Sequence, residues 1–270
     1  MSLTVHPFFE ATSGSYGFIV ANVDARCCAI IDAALAVRGS STPLNTDTAD
    51  LMLDWVDAHG CEVLWILDTH IHADRPSATG YLKAKLPGAC TAIGANTPGV
   101  SGYDRLLRDG DRIEIGDLCG RVMATPGHTP GCVSYQFETF VFVGDTLFMP
   151  DTGTARCDFP GGCAEVLYHS IRRLLALPGD TRLYVCHDYG GDGRRNRFVT
   201  TVAEELAQNV HVGCAGGSAS DLDRFVALRQ GRDQTLSPPR WVDVAVPANL
   251  QCMALRDIQF LVNQTRHERH

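Results

Sequence analysis

Residues 63–75 read VLWILDTHIHADR, an apolar run followed at once by side chains that bind metals. The run 63–67 is too short for a helix and is bounded by charged residues, so it predicts a buried strand. The carboxyl end of that strand delivers His70, His72 and Asp74. A His-x-His pair at a strand end can direct two imidazoles toward one point, and imidazoles with a carboxylate are ligands for Zn(II) or Fe(II). The stretch therefore predicts a metal site at the end of this strand.

Three later segments place the same residue types directly after predicted strands. His128 lies in TPGHT, Asp145 in VGDT and His187 in CHD. A single histidine is more often an ordinary core or surface residue than a ligand. Because four segments share this arrangement, chance explains it poorly. We therefore predict one metal centre to which all four contribute.

Predicted strands and helices are mixed along the chain rather than segregated, which favours layered sheets flanked by helices. A first helix is capped by Thr46 or Asp47 and ended by Gly60, and residues 212–220 are expected to form a loop. Strands are predicted at 16–21, 27–32, 63–67, 90–93, 112–115, 119–125, 132–137, 140–144 and 182–186, and further helices at about 77–85, 164–176, 199–208 and 222–229.

Composition excludes several classes of protein. The chain has 270 residues, of which 45% are hydrophobic, and no apolar run approaches the length of a membrane span. Its formal net charge of −8 argues against nucleic acid or an anionic membrane surface as the main partner. Eleven cysteines without a CxxC pair, and a first segment without signal-peptide character, predict reduced thiols and a cytoplasmic location.

The segment THIHAD resembles the signature of the metallo-β-lactamase superfamily, whose usual form is His-x-His-x-Asp-His. GHTPG at 127–131, GDT at 144–146 and CHDY at 186–189 are similar to later motifs of that superfamily, in the same order. The resemblance extends from about residue 5 to 260. It implies an α/β fold, the αββα sandwich, in which two mixed β-sheets lie face to face with helices outside and the metal at one edge. We expect a single domain over 1–270 with a C-terminal extension from about 231.

Within that superfamily, VGDTLF at 143–148 and GTARCDF at 153–159 resemble the branch of persulfide dioxygenases (sulfur dioxygenases) and glyoxalase II. The Arg-x-Asp-Phe element and the HDY segment are most similar to persulfide dioxygenases. GRDQTL at 231–236, with Pro238, is similar to bacterial relatives called β-lactamase-like hydrolases, which are grouped with that branch.

One position departs from the superfamily motif. Its final histidine, which holds a second metal in dinuclear hydrolases, is replaced here by Arg75. A guanidinium cannot ligate a cation, and at roughly 4 Å it repels a dication by about 2 kcal/mol even in water. We therefore expect one metal per chain.

A single metal favours the dioxygenase interpretation. The resemblance then implies Fe(II) held by His70, His128 and Asp145, with open positions for substrate sulfur and O2, and sulfite as the product. His72 becomes a residue that orients ligands or holds water. The alternative is a zinc-dependent thioester or lactone hydrolase that uses His70, His72 and His128.

Other residues are candidates for supporting roles. Asp74 and His187 are expected to orient ligands or hold water. Tyr189 matches a tyrosine that lies near the substrate sulfur in persulfide dioxygenases, and its alternative is a packed aromatic. Arg156 forms a structural salt bridge with Asp158 or contacts substrate, and both readings stay open.

The thiol carrier is expected to be glutathione or a similar small thiol. Glutathione-using relatives carry Asn-x-Arg after the helix 199–208, whereas this chain has NVH at 209–211. Cys157 could relay sulfane sulfur or be a bystander. The expected partners are this thiol persulfide and O2, and a catalytically silent sulfur-binding role is a further alternative. The apolar segment 241–246 could pack against its own domain or form a homodimer. The arginine that is missing from the Asn-x-Arg pattern could be replaced by one of three others, which would otherwise form a solvated loop. These are Arg194, Arg195 and Arg197.

Overall fold

The opening stretch forms a central strand of a six-stranded sheet in the computed structural model, which describes residues 3–39, 42–190, 193–213 and 217–265. The first three strands of this sheet pair antiparallel with one another. The fourth, fifth and sixth strands run parallel to the third. Both faces of this sheet are covered, which explains the continuously apolar run. In spatial order the strands are β1 (Leu3–Glu10), β2 (Ser15–Asn22), β3 (Cys27–Ile31), β4 (Glu62–Leu67), β5 (Cys90–Gly94) and β6 (Arg105–Leu107).

A second six-stranded sheet follows in the chain. β7 to β10 form an antiparallel meander, and β11 is parallel to β10 and antiparallel to β12. The spatial order is β12-β11-β10-β9-β8-β7. The strands are β7 (Arg112–Ile115), β8 (Leu118–Ala124), β9 (Val133–Phe137), β10 (Phe140–Gly144), β11 (Arg182–Val185) and β12 (Val199–Thr201).

Seven helices lie in the described ranges, and they cover the outer faces of both sheets. α1, α2, α6 and α7 share one buried cluster with β2, β3 and β4 of the first sheet. α3, α4 and α5 share another with β10 and β11 of the second sheet. The helices are α1 (Asp47–His59), α2 (Thr79–Lys85), α3 (Ala164–Leu175), α4 (Val202–Gln208), α5 (Ala219–Asp233), α6 (Val242–Leu250) and α7 (Leu255–Gln264).

A third cluster fills the space between the sheets and is rich in aromatic rings. Phe18 of the first sheet lies 5.2 Å from Phe142 and 5.6 Å from Tyr184 of the second, measured between ring centroids. Such offset and edge contacts add to the stability gained from burial. The predicted αββα layering, with two mixed sheets face to face, is confirmed.

Several local predictions differ from the structure. The segment predicted as a helix over 199–208 begins as strand β12, because its β-branched residues pair with β11, and Thr201 then caps α4 by accepting from the Glu204 N–H. β1, β6, α6 and α7 were not predicted. β1 is a half-buried edge strand that contains Pro7, a pattern with weak signal. The predicted loop at 212–220 lies partly outside the described residues.

No helix in the described ranges is long and apolar enough to cross a membrane. The ten cysteines in those ranges are free thiols, and Cys214 lies outside them.

Candidate metal centre

The predicted metal-binding residues meet at one edge of the sandwich, in loops that follow four strands. His70, His72 and Asp74 follow β4, His128 follows β8, Asp145 follows β10 and His187 follows β11. Gly144 allows the close approach of two of these loops. Its φ is +53°, and a Cβ there would lie 2.5 Å from the Thr69 Oγ1, so only glycine fits without strain.

Three of these residues point one atom each toward a common centre. The His70 Nε2 lies 3.6 Å and the His128 Nε2 lies 3.8 Å from the Asp145 Oδ2, and all three residues are buried. Their candidate ligand atoms lie within 4.8 Å of one another. These separations exceed hydrogen-bond length but allow one cation to bond all three atoms. The set of two imidazoles and one carboxylate suits Fe(II) or Zn(II).

Hydrogen bonds made by the Nδ1 atoms of His70 and His128 fix the tautomer of both imidazoles. The Thr69 hydroxyl donates to the Asp32 carboxylate, so its oxygen accepts from the His70 Nδ1 at 3.0 Å. The His128 Nδ1 donates to the Arg156 carbonyl oxygen at 2.8 Å. Burial lowers the pKa of both imidazoles. Each is therefore neutral, with the Nε2 lone pair available to a metal.

The Asp145 carboxylate is held by an imidazole with two acidic neighbours. The His187 Nδ1 lies 2.8 Å from the Asp145 Oδ1, and its Nε2 lies 3.1 Å from the Asp74 Oδ2. Burial alone would lower the pKa of His187, but the two carboxylates override it and raise that pKa well above its usual value. The charged imidazole in turn holds the pKa of Asp145 well below its usual range, despite burial.

His72 lies beside this trio and belongs to a different set of contacts. Its Nε2 lies 3.1 Å from the Asp32 Oδ1, and its Nδ1 is buried without a hydrogen-bond partner among the described residues. The ligand atoms of His72, Asp32 and Cys186 form a second group within 4.8 Å of one another. A ligand role for His72 stays a prediction.

The Arg75 side chain fills the space next to that second group. It is 2% exposed and donates to the Asp32 carbonyl at 3.0 Å and to the Cys186 Sγ at 3.6 Å, while its Nη2 lies 3.4 Å from the His72 Nε2. A fixed positive charge therefore sits where the superfamily motif would place a metal-binding histidine.

A cavity of about 350 Å³ opens onto the centre, and Asp74, His128, Asp145, His187 and Tyr189 lie along its wall. The Tyr189 ring is nearly parallel to the His187 ring, with 5.8 Å between centroids. The cavity therefore brings the predicted tyrosine and the metal-side residues into one space.

Arg156 also lines the cavity, but its guanidinium is already occupied. It binds both oxygens of Asp158 at 2.6 Å and donates to the carbonyl of Ser237 at 2.9 Å. Because its own carbonyl fixes His128, these contacts stabilise the loop that orients a metal ligand. The geometry supports the structural reading of Arg156.

The cysteines near the centre are poor nucleophiles. Cys157 and Cys132 are buried, and burial raises the pKa of each thiol to about 12. A thiolate, rather than a thiol, is the reactive form. Cys157 is therefore best read as a packed bystander.

Residues 209–211, which depart from the glutathione-binding pattern, form hydrogen bonds within the protein. Asn209 donates to the Gly153 carbonyl at 3.1 Å, and the His211 Nδ1 accepts from the Thr154 N–H at 3.0 Å. Of the nearby arginines, Arg194 pairs with Asp151 and Asp188, and Arg197 pairs with Glu204. None of the three predicted arginines lines the cavity.

Sequence reasoning missed four residues that shape this region. Asp32 follows β3 as His70 follows β4, so the same strand-end rule would have found it. Helices distant in the chain bring the other three here, and only Arg232 of these lies in a segment with a sequence signal, GRDQTL, which assigned it no role. They are Asn249 of α6, which binds the His72 and Arg75 carbonyls, and Arg229 and Arg232 of α5, which line the cavity.

Comparison with known proteins identifies a family and several similar proteins. The family model described as the metallo-beta-lactamase superfamily matches residues 11–187. A beta-lactamase hydrolase-like protein of Agrobacterium fabrum is 43% identical over 92% of this chain, which spans 60% of that protein's length. A protein named glyoxylase B2 from Dictyostelium discoideum is 39% identical over 92% of this chain and 90% of its own.

The resemblance to persulfide dioxygenases is confirmed. The mitochondrial persulfide dioxygenase ETHE1 of Bos taurus is 33% identical over 90% of this chain and 86% of its own. The crystal structure of ETHE1 from Myxococcus xanthus superposes with a TM-score of 0.79 at 33% identity, covering 93% of this chain and 99% of that one.

Proposed function

The chain belongs to the metallo-β-lactamase superfamily, and we propose that it is a mononuclear Fe(II) persulfide dioxygenase acting on a small thiol persulfide. The observation that carries this proposal is the trio of His70, His128 and Asp145, together with the Arg75 charge at the motif's last position. Two imidazoles and one carboxylate leave several coordination positions open. Relatives named persulfide dioxygenase support the assignment.

The overall reaction is RSSH + O2 + H2O → RSH + SO3²⁻ + 2H⁺, in which the terminal sulfur is oxidised and O2 is reduced. When bound, Fe(II) would supply the activation of O2 next to the persulfide. The chain's own residues hold the metal-binding side chains in place and orient the persulfide. His187 fixes the Asp145 carboxylate, the Arg156 carbonyl fixes His128, and Tyr189 stands on the cavity wall where its hydroxyl can donate to the persulfide.

Oxygen consumption tests the proposal directly. Protein purified without oxygen and loaded with Fe(II) should consume O2 when a thiol persulfide is added and release sulfite in equal amount. The matched control is His128→Ala, which lacks one ligand and should show no uptake above background. Equal uptake by the two proteins would contradict the proposal.

A zinc-dependent thioester or lactone hydrolase is the second candidate. It is favoured by the buried Nδ1 of His72, a third imidazole nitrogen beside the trio that has no partner in the described part of the chain. Relatives named glyoxylase and hydrolase-like also support it. Elemental analysis of protein purified without added metal separates the two candidates. One zinc per chain with thioester turnover would replace the dioxygenase assignment.

We also propose a reducing, cytoplasmic setting, which the free thiols support. A homodimer stays an alternative for its assembly.

A further inference from the structure

A second cavity, of about 670 Å³, lies beside the cavity at the metal centre and has no part in the proposed chemistry. We call it the apolar cavity, because most side chains that line it are aliphatic or aromatic. Among the described residues of its lining, Asp243 is the one with an ionisable side chain. Ala73 and Phe159 line both cavities, so the two spaces adjoin at these side chains.

The loops that present the metal-side histidines also form one wall of the apolar cavity. Ile71 lies between the two histidines of the loop after β4, and Pro130 follows His128 by two residues. The Phe159 ring is nearly perpendicular to the His128 ring, with 5.4 Å between centroids. The Arg156 guanidinium lies 5.0 Å from the Phe159 centroid and helps to hold that ring in place. The apolar cavity therefore begins one ring away from the candidate metal centre.

Helix α6 forms another wall, and it is apolar on two faces. Val244 and Ala248 belong to the core cluster under the first sheet. Val242, Val246 and Leu250 recur every four residues, which places them together on a different face of the helix. They are half-buried and line the apolar cavity. This second face stays in contact with water unless a ligand covers it, so covering it releases free energy.

The walls are built from residues with little conformational freedom. Pro98, Pro130 and Pro247 line the cavity, and proline has no side-chain rotamers to lose. Gly131 lets the loop after β8 pack closely on Thr97, because a Cβ at this position would collide with the Thr97 side chain. A preformed apolar concavity of this volume is typical of a site for a small molecule rather than a flat protein interface.

We propose that the apolar cavity binds an uncharged, apolar group of the thiol carrier, so that the substrate is the persulfide of an alkyl or aryl thiol. The inference rests on the proposed function for the persulfide and on the cavity for the apolar group. Charge supports this occupant, because Asp243 repels an anion and no basic residue of the described chain lines the cavity. Val246 is a specificity residue: it contacts the carrier and takes no part in the chemistry at sulfur.

Binding of unreactive analogues tests the apolar cavity separately from catalysis. The probes are pentyl methyl sulfide and 2-ethoxyethyl methyl sulfide, which have chains of equal length and differ by one ether oxygen. Both are titrated by calorimetry into Fe(II)-loaded protein without oxygen. The wild type should bind the pentyl compound about tenfold more tightly, because the ether oxygen loses its hydration in the cavity. Val246→Asn should reduce this preference to about twofold or less, and Val246→Ile should keep it.

The matched control is Val166→Asn, which changes an exposed valine of α3 that does not line the cavity and should behave as the wild type. Leu250→Asn is a second variant of the same wall and should repeat the loss seen with Val246→Asn. In turnover with the corresponding persulfides, Val246→Asn should raise KM for the pentyl compound about fivefold. It should leave kcat, and KM for the ether compound, unchanged.

Equal binding of the two probes by the wild type overturns the inference, as does a preference that both Val246→Asn and Leu250→Asn retain. Equal binding together with a wild-type dimer that Val246→Asn converts to a monomer, measured by light scattering, also overturns it and assigns this face of α6 to a second copy of the chain. Absence of O2 uptake with both persulfides would instead overturn the proposed function, while the analogue titration still decides the role of the apolar cavity.

Discussion

At the scale of single residues, the position of His72 separates the two candidate chemistries. The second imidazole of the His-x-His pair would complete a three-histidine zinc site, yet its Nε2 is directed to Asp32 rather than to the centre. The trio within 4.8 Å contains His70, His128 and Asp145 without it. Through its Nε2, His72 is a buried partner of Asp32, which also receives the Thr69 N–H and hydroxyl. Its Nδ1 has no hydrogen-bond partner among the described residues and is the atom that a three-histidine zinc site would use.

Replacing His72 should affect stability more than metal content. We expect His72→Gln to keep about one iron per chain, and to lower the free energy of unfolding by about 1–3 kcal/mol because Asp32 loses a buried partner. His128→Gln should lose most of its iron, since a direct ligand is gone. Elemental analysis after anaerobic purification measures the first effect and denaturant titration the second. Loss of iron from both variants would make His72 a ligand.

Arg75 should set the number of metal ions. Its guanidinium touches the Asp32 carbonyl, His72 and Cys186, so replacing it by a neutral imidazole removes a buried positive charge from a region rich in ligand atoms. We expect Arg75→His to bind a second divalent ion per chain, whereas the wild type binds one.

The measurement is metal per chain by elemental analysis after dialysis against Zn(II) or Fe(II). The exposed Arg38, which pairs with Asp47 on the surface, gives the matched control Arg38→His. That variant should keep one ion. A single ion in Arg75→His would show that the guanidinium does not decide the metal number.

At the scale of elements, α4 carries a buried carboxyl group that should make stability depend on pH. Glu205 is fully buried, its Oε2 accepts from the Asn209 amide at 2.6 Å, and its Oε1 has no partner within the described residues. Burial raises the pKa of this carboxyl from 4.5 to about 8. The folded protein then holds a proton that the unfolded chain releases, so stability is present below pH 4.5 and is lost as pH rises through 8.

Glu205→Gln keeps the acceptor for Asn209 and removes the titration. We expect this variant and the wild type to be about equally stable at pH 5, and the variant to be more stable at pH 8 by up to about 4 kcal/mol. Urea unfolding at several pH values measures the difference. Glu165→Gln, which changes an exposed carboxyl of α3, is the control and should show no such trend. A constant difference between pH 5 and pH 8 would contradict the assignment.

The elements also show what the sequence can and cannot predict. Strands with an apolar run, such as β4 and β10, were predicted within a residue of their bounds because their pattern is local. The meeting of His70, His128 and Asp145 was predictable because each lies within four residues of the end of a strand at the same edge. Their role as metal ligands stays a prediction. β12 was read as part of a helix since it has only three residues. Arg232 reaches the cavity only through the packing of α5, which no local pattern encodes.

At the scale of the whole molecule, the C-terminal part of the chain supports the loop 68–75, which lies in the first third of the sequence. α6 and α7 contribute Val244 and Ile258 to the core cluster under the first sheet. The Gln259 side chain of α7 accepts from the Leu44 N–H at 2.6 Å. Residues beyond 231 therefore take part in the same core that holds β4 in position.

Asn249 connects this part of the chain to the candidate metal site. Its amide donates to the His72 carbonyl at 2.8 Å and to the Arg75 carbonyl at 3.0 Å, and its oxygen accepts from the Ser77 N–H at 2.7 Å. The side chain is 2% exposed, so water cannot replace these bonds without rearrangement. The loop that presents His70 is thus fixed by a residue almost 180 positions later in the chain.

Asn249→Ala should therefore weaken both the fold and the metal site. Three hydrogen bonds are lost and their buried partners are left unsatisfied, which predicts a loss of about 3 kcal/mol in the free energy of unfolding. Iron affinity should fall about tenfold, because the loop that orients His70 is no longer fixed. Thermal unfolding and a competitive chelator titration measure the two effects. Asn263→Ala in α7 changes an exposed amide and should alter neither quantity, so equal behaviour of the two variants would show that α6 does not position the metal loop.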